Sequence, residues 1–327
     1  GGARVSFQQL ASYIAEEEIS FYLVATRPFE RGWQRVLNPL VVFWRCLLYL
    51  PSVDVIWGNM SYGGIRSLGP LLFLLARLSR KKIILRPFGS RLRETYDSLG
   101  VSAKWLFRKT VLRADLLFLQ TQSLIDYFTP WSKRIAHLPT SRKIPNAYLS
   151  AAAARSYRKR FVFLGHIKAA KGIDEIIAVR EQLPDDYIIH CYGPIKEDKY
   201  LAWAKTDGLY QGILPNERVL AKLNEYDVLL LPTYFSGEGY PGVIIEAYAL
   251  GIPVISTDWR SIPEILSDGE TGRLIPPKSV TDLREAMTGI DDLSYRLWSE
   301  QARQQFALHF QQKLVLGQAL REIKHLI

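Results

Sequence analysis

The sequence predicts an α/β protein of two doubly wound, parallel-sheet domains facing a cleft, and three observations carry that reading. Short β-branched or aromatic runs alternate with longer helically periodic stretches, the pattern of strand–helix units stacked into a parallel sheet. The chain has 327 residues, whereas one domain takes about 100–200. The alternation also stops over residues 146–160 (NAYLSAAAARSYRKR) and then restarts.

In the first half, strands are expected at residues 20–25 (SFYLVA), 53–57 (VDVIW), 82–86 (KIILR) and 116–120 (LLFLQ). Asn38 before Pro39 fits an N-cap followed by proline at the first helical position, which predicts a helix over 39–50. The basic cluster ending at Arg160 marks the domain boundary, giving domains 1–150 and 151–300. In the second half, strands are expected at 161–164, 187–192, 228–231 and 253–256, and from Tyr295 onward the period is helical only. Ligands of such sheets bind outside the carboxyl ends of the strands.

Composition narrows the function classes. With 48% hydrophobic and 23% charged residues, including 17 Tyr, 14 Phe and 8 Trp, the chain has ample apolar surface to offset its conformational entropy, which excludes global disorder. Two cysteines, Cys46 and Cys191, make neither a disulfide framework nor a four-cysteine zinc site. Residues 1–150 hold 21 Lys+Arg and 9 Asp+Glu, whereas 151–327 hold 21 and 23. The whole positive excess therefore sits in the first half, which suits either an anionic partner there or a basic surface that serves solubility alone. Residues 36–50 are interrupted by Asn38, Pro39 and Arg45, and 68–78 are too few to span a bilayer. The opening GGARVSFQQL lacks the basic and apolar regions of a secretory leader. The expected location is cytoplasmic, free or peripheral on the cytoplasmic face of a membrane.

Two segments carry chemistry. Residues 230–253, LLPTYFSGEGYPGVIIEAYALGIP, read as strand, glycine-rich turn, helix and glycine stop. Gly237, Gly239 and Gly242 let backbone approach a ligand, Pro241 suits the first helical position, and Gly251 ends the helix. The helix N-terminus then offers free N–H donors and a partial positive charge, an anion site. Glu238 lies in the turn, and Glu246 lies within the apolar helix, where a carboxylate needs a partner or ligand hydroxyls unless it faces solvent. Residues 161–173, FVFLGHIKAAKGI, repeat the strand–loop–helix pattern with Gly165 at the turn, His166 beside it and Lys171 before the helix, suited to neutralising a phosphate.

The spacing of Glu238 and Glu246 in EGYPGVIIEAYALGIPVI, with GHIKAAKG upstream and IPEILSDGETGRLIPP downstream, resembles glycosyltransferase family 4, retaining enzymes of the GT-B fold. The resemblance covers nearly all of residues 155–305. More loosely, GGARVSFQQLA resembles the family's opening glycine loop and helix, KIILRPFGS its central strand, and ADLLFLQTQSLIDYF a later strand and helix. It implies a C-terminal helix, 301–327, returning to the first domain, and it implies a hexosyltransferase drawing on a nucleoside-diphosphate sugar without a metal or other cofactor. Glu246 would hold the ribose hydroxyls and Glu238 the transferred sugar. Lys171 and His166 would bind the diphosphate, with Gly165, Gly239, Tyr240, Pro241 and Gly242 lining the donor site. Gly1, Gly2, Arg86, Phe88, Gly89 and Arg91 would lie on the acceptor side. Three positions depart from the family: His166 stands for the usual arginine, Phe88 for a frequent histidine, and the strand expected before the glycine loop is missing.

Acceptor recognition then falls to the basic half. Arg86, Arg91 and Arg93 around Gly89 are candidates for an acceptor phosphate, and Trp33, Trp44, Arg35 and Arg45 suit an interfacial helix or the edge of an ordinary core helix. A lipid-linked or polysaccharide acceptor on an anionic membrane surface satisfies both. The competing readings are a nucleotide-sugar epimerase of the same fold, a glycoside hydrolase with two carboxylates, and a catalytically silent transferase-like subunit. Nucleic acid is not an expected partner, because no helix-turn-helix, zinc or RNA-binding signature accompanies the basic charge.

Overall fold

The computed structural model describes residues 2–24, 34–150, 155–206 and 208–326. They fold as two compact α/β units, Gly1–Pro139 with Val315–Ile327, and Thr140–Leu314. Each carries one wholly parallel sheet, and the architecture is that of GT-B proteins.

The first unit has strands β1 (Val55–Met60), β2 (Lys82–Pro87), β3 (Leu116–Leu119) and β4 (Ile135–His137), side by side in that order. Central strands of parallel sheets are covered on both faces and so read as unbroken apolar runs. On one face Ile83, Leu85, Leu117 and Leu119 pack with Ile65, Leu68 and Leu72 of the helix Tyr62–Leu78. On the other, Ile84, Leu116 and Phe118 pack with Leu10 and Tyr13 of the helix Gly2–Glu16, and with Leu316, Ala319 and Leu320 of the helix Gln312–Lys324. The C-terminal helix thus belongs to the first unit.

The second unit has β5 (Arg160–Leu164), β6 (Ile188–Tyr192), β7 (Val228–Leu231), β8 (Val254–Thr257) and β9 (Gly272–Ile275), ordered β6-β5-β7-β8-β9. Its core includes Phe161, Phe163, Tyr248 and Tyr295, all fully buried. β9 gives no sequence signal because it is four residues long and opens on a glycine. Gly272 has φ +146°, and a side chain there would collide with the Val254 carbonyl of the neighbouring strand.

Several expectations are corrected. Residues 20–24 form no strand; Phe21, Tyr22 and Leu23 are exposed, and the Tyr22 ring stacks on Tyr49, 4.3 Å away. Composition made that run look like a strand, but a strand also needs a neighbour to pair with. The helix expected from Pro39 begins at Gln34 and runs through it to Tyr49, held by Val42, Phe43, Cys46 and Leu47 against the core. The chain enters the second unit at Thr140 and leaves after Leu314, not at 151 and 300. The described residues of the composition break, 146–150 and 155–160, belong to that unit: Tyr148 and Leu149 pack on its core, and the Arg155 guanidinium donates to Asn224 Oδ1 at 2.7 Å.

Candidate active site

In the second sheet the chain passes from β5 outward to β6 and returns to β7 on the other side of β5. The β5/β7 boundary is therefore a topological switch point, where the loops following adjacent strands diverge and leave room for a ligand. Both chemistry-bearing segments start there, one after Leu164 and the other after Leu231.

The first loop runs through Gly165 and His166 to a 3-10 turn, Ala169–Lys171, and the helix Ile173–Arg180. Gly172 joins turn to helix with φ +80°, and the Pro232 carbonyl occupies the space a side chain would need. The second loop closes against the first, since Tyr234 N–H donates to the Ala170 carbonyl at 2.9 Å. Trp259 Nε1 donates to the Phe235 carbonyl at 3.0 Å, and Thr257 Oγ1 to that of Thr233. The outcome is a pinned turn rather than a loose one.

This turn brings Lys171 and Glu238 together. Lys171 Nζ pairs with Glu238 Oε2, and Thr233 Oγ1 donates to the same oxygen at 2.8 Å while accepting from Phe235 N–H at 3.2 Å. Both charged side chains are largely buried. Lys168 Nζ lies over the Phe235 ring, 3.4 Å from its centroid, with Lys171 Nζ at 5.3 Å. Desolvation and then the neighbouring Lys171 push the Lys168 ammonium below its ordinary pKa, against the pull of Glu238 and Glu197. His166 is likewise lowered, by desolvation first and then by Lys196, Lys168 and Lys171. Such mutual repulsion is relieved by an anion, so the cluster is built to receive negative charge.

The helix that follows is Gly242–Ala249, and Pro241 at its N-cap makes no side-chain hydrogen bond to its first N–H groups. Glu246, one turn in, is not a solvated residue. Its Oε1 accepts from Arg142 Nε at 2.6 Å, with the two side chains 19% and 7% exposed. Arg142 is itself fixed: its N–H donates to the Phe310 carbonyl at 3.0 Å, its carbonyl accepts from Gln312 at 3.1 Å, and Nη1 donates to the Ser141 carbonyl at 3.0 Å. Gly242 is glycine for Arg142's sake, because a Cβ there would overlap the guanidinium. Tyr240 points into the protein; its hydroxyl donates to Glu264 Oε2 at 2.7 Å.

Gly165, His166, Lys171, Glu238, Gly239, Tyr240, Pro241, Gly242 and Glu246 thus all lie on the two switch-point segments of the second unit. Arg86, Phe88, Gly89 and Arg91 gather at the end of β2 in the first unit, Gly2 opens its first helix, and Gly1 lies outside the described residues. Thr233 and Arg142 escaped sequence reasoning. Arg142 meets its partner 104 residues away, and nothing in TSRKIPN marks it.

A model of the family described as Glycosyl transferases group 1 matches residues 158–290. The matched stretch lies within the Thr140–Leu314 unit. The chain is 30% identical over 140 residues to an uncharacterized 41.2 kDa protein in the cps region of Klebsiella pneumoniae, covering 42% of this chain and 38% of that one. It is 33% identical over 101 residues to the amylovoran biosynthesis glycosyltransferase AmsK of Erwinia amylovora, covering 28% and 24%. The match thus spans well under half the length of either relative. The fold is shared more widely: Anabaena HepE, solved in complex with UDP, matches 99% of this chain and 96% of its own with a TM-score of 0.74 at 14% identity.

Proposed function

We propose that this chain is a retaining, metal-independent glycosyltransferase that moves a hexose from a nucleoside-diphosphate sugar to a lipid-linked or polysaccharide intermediate of a cell-surface glycan. The observation that carries it is the cationic cluster of Lys171, Lys168 and His166 beside Glu238 at the β5/β7 switch point, next to the helix N-terminus before Glu246. In the reaction, the bond from the sugar's anomeric carbon to the β-phosphate oxygen breaks and its electron pair stays with the diphosphate. A new bond forms to an acceptor hydroxyl, whose proton passes to the departing diphosphate oxygen. Charge therefore develops on the diphosphate, where Lys171, Lys168 and the helix N-terminus stabilise it. Glu238, held by Lys171 and Thr233, accepts from hydroxyls of the sugar, and Glu246, oriented by Arg142, accepts from the ribose. Retention rests on the resemblance to family 4. The nucleotide is assigned as UDP, the ligand that HepE carries in structures with UDP and with UDP-glucose.

The basic first unit fits an anionic membrane surface on the cytoplasmic side. Helix Gln34–Tyr49 has one face in the core, yet Leu40, Val41, Trp44 and Leu48 on the rest of it are exposed, Trp44 at 67% and Leu48 at 74%. Among the described residues no helix is long and apolar enough to cross a membrane, so contact would be interfacial.

The test is sugar release from UDP-glucose and related donors in the presence of membranes holding lipid-linked acceptors. Glu238→Ala should abolish turnover while leaving UDP affinity within about threefold, whereas Glu246→Ala should weaken UDP binding about tenfold or more, the loss expected for charge-assisted hydrogen bonds. Turnover and binding in both variants equal to the parent chain would overturn the assignment.

A further inference from the structure

The first unit holds a second cluster that the donor chemistry leaves unused. Arg86, near the end of β2, is only 3% exposed. Among the described residues its guanidinium donates to one group, the Leu138 carbonyl, at the long distance of 3.5 Å, and lies 5.7 Å from the centroid of the Phe88 ring. Among the described residues no carboxylate pairs with it, and burial alone pushes its pKa down to about 10, so it stays charged at neutral pH. A buried, unneutralised charge is costly to fold and is retained where something else compensates it.

The surroundings of Arg86 are also unsatisfied. Asn59 pairs with Arg86 in the parallel register of β1 and β2, and Trp57 with Ile84, so alternation places all four on one face of the sheet. On that face Trp57 Nε1 and Asn59 Oδ1 are buried with no hydrogen-bond partner among the described residues, and so is Ser90 Oγ just past the strand. The loop carrying Ser90 is rigid. Phe88 N–H donates to the Met60 carbonyl at 2.9 Å, and Arg91 N–H to Tyr62 Oη at 2.9 Å. Gly89 adopts φ +96° with the Tyr62 hydroxyl where a side chain would be. The other two arginines of the segment differ. Arg91 is exposed, and Arg93 lies on the surface 3.6 Å from Asp97. Buried polar groups are almost always paired, so one cation, two donors and one acceptor left open on this sheet face and in the loop just beyond it are best explained by a ligand.

We propose that Arg86, Trp57, Ser90 and Asn59 form a subsite for the oxyanion of a charged sugar, the phosphate or carboxylate of the acceptor glycan. The oxyanion sits against the Arg86 guanidinium and accepts from the Trp57 indole N–H and the Ser90 hydroxyl, while Asn59 Oδ1 accepts from a neighbouring sugar hydroxyl. The inference rests on the transferase reading of the second unit and adds that the acceptor carries an anionic group.

The test uses thermal unfolding and titration of the full chain with UDP, glucose, glucose 1-phosphate, glucuronate and inorganic phosphate, comparing the parent with Arg86→Met, Ser90→Ala and Lys171→Met. Glucose 1-phosphate or glucuronate should bind and glucose should not, and whichever binds tells phosphate from carboxylate. Arg86→Met should melt at or above the parent, since it removes an unpaired buried charge, yet bind the charged sugar at least about tenfold more weakly. Ser90→Ala keeps the charge and should weaken the same ligand severalfold, with UDP affinity unchanged in both. The proposal is overturned if neither charged sugar binds while UDP does, if Arg86→Met binds them as the parent does, or if Lys171→Met abolishes their binding, which would place the anion in the donor cluster. Failure of UDP to bind would instead remove the transferase reading.

Discussion

Replacing Arg142 with methionine isolates the contact that orients Glu246. The pair is 2.6 Å long with both side chains largely buried, so the substitution strands a carboxylate that is only 19% exposed. Breaking a fully buried pair costs about 3–5 kcal/mol; with Glu246 partly solvated, about 2 kcal/mol is expected. For a unit of this size that lowers the melting temperature by about 4–8 °C, at about 2–4 °C per kcal/mol. A double-mutant cycle with Glu246→Gln separates the pair from the lost packing of the arginine stem, and a coupling energy of about 1–3 kcal/mol is expected for groups in direct contact. Measured by calorimetric unfolding alongside UDP titration, Arg142→Met should also weaken UDP about tenfold, because a freed carboxylate no longer stands ready for the ribose. Additive stabilities, with a coupling below about 0.3 kcal/mol, would refute the reasoning that Arg142 acts through Glu246.

Other outcomes follow from the same geometry. Because the folded pKa of His166 lies below its ordinary value, its contribution to stability is present above about pH 6.5 and is lost as pH falls through the lower folded value, where the unfolded chain binds a proton more readily. Diphosphate supplies the missing counter-charge, so UDP affinity should gain from acidification below neutrality, an excess that His166→Gln abolishes in titrations from pH 8 to 5.5. Gly242→Ala drives a methyl group into the Arg142 guanidinium and should cost about 1–3 kcal/mol, a loss that Arg142→Met largely rescues in unfolding experiments. Trp44→Glu with Leu48→Glu, on the exposed face of its helix, should reduce flotation with anionic vesicles at least severalfold and leave UDP titrations unaltered.

The strands most legible in the sequence were those with a run of adjacent apolar residues. β2, β3, β5, β7 and β8 are covered on both faces of parallel sheets, so their runs carry the strand signal without help from periodicity. Residues 20–25 had the same composition, but composition does not report whether a neighbouring strand exists to pair with. β4 and β9, three and four residues long, are defined by partners brought in from elsewhere in the chain. The site divides the same way. Lys171 and Glu238 stand at punctuated turns, where glycine and proline announce a strand-to-helix passage, and the fold brings their charges into contact. Arg142 and Thr233 act by contacts that only folding creates, and the isolation of Arg86 is a property of what surrounds it, which no local pattern encodes.

The most direct measurement is thermal unfolding of the parent chain with UDP, GDP, ADP and CMP, repeated on Lys171→Met and Glu246→Ala. At about 100 times its dissociation constant a nucleotide stabilises the folded state by about 2.7 kcal/mol, which at about 2–4 °C per kcal/mol raises the melting temperature by about 5–10 °C. The account predicts that rise with UDP, smaller or absent rises with the others, and a fall to about half of it or less in both variants, since tenfold weaker binding leaves about 1.4 kcal/mol. No rise with any nucleotide, or one that both variants preserve, would contradict a nucleotide-sugar site at the β5/β7 switch point.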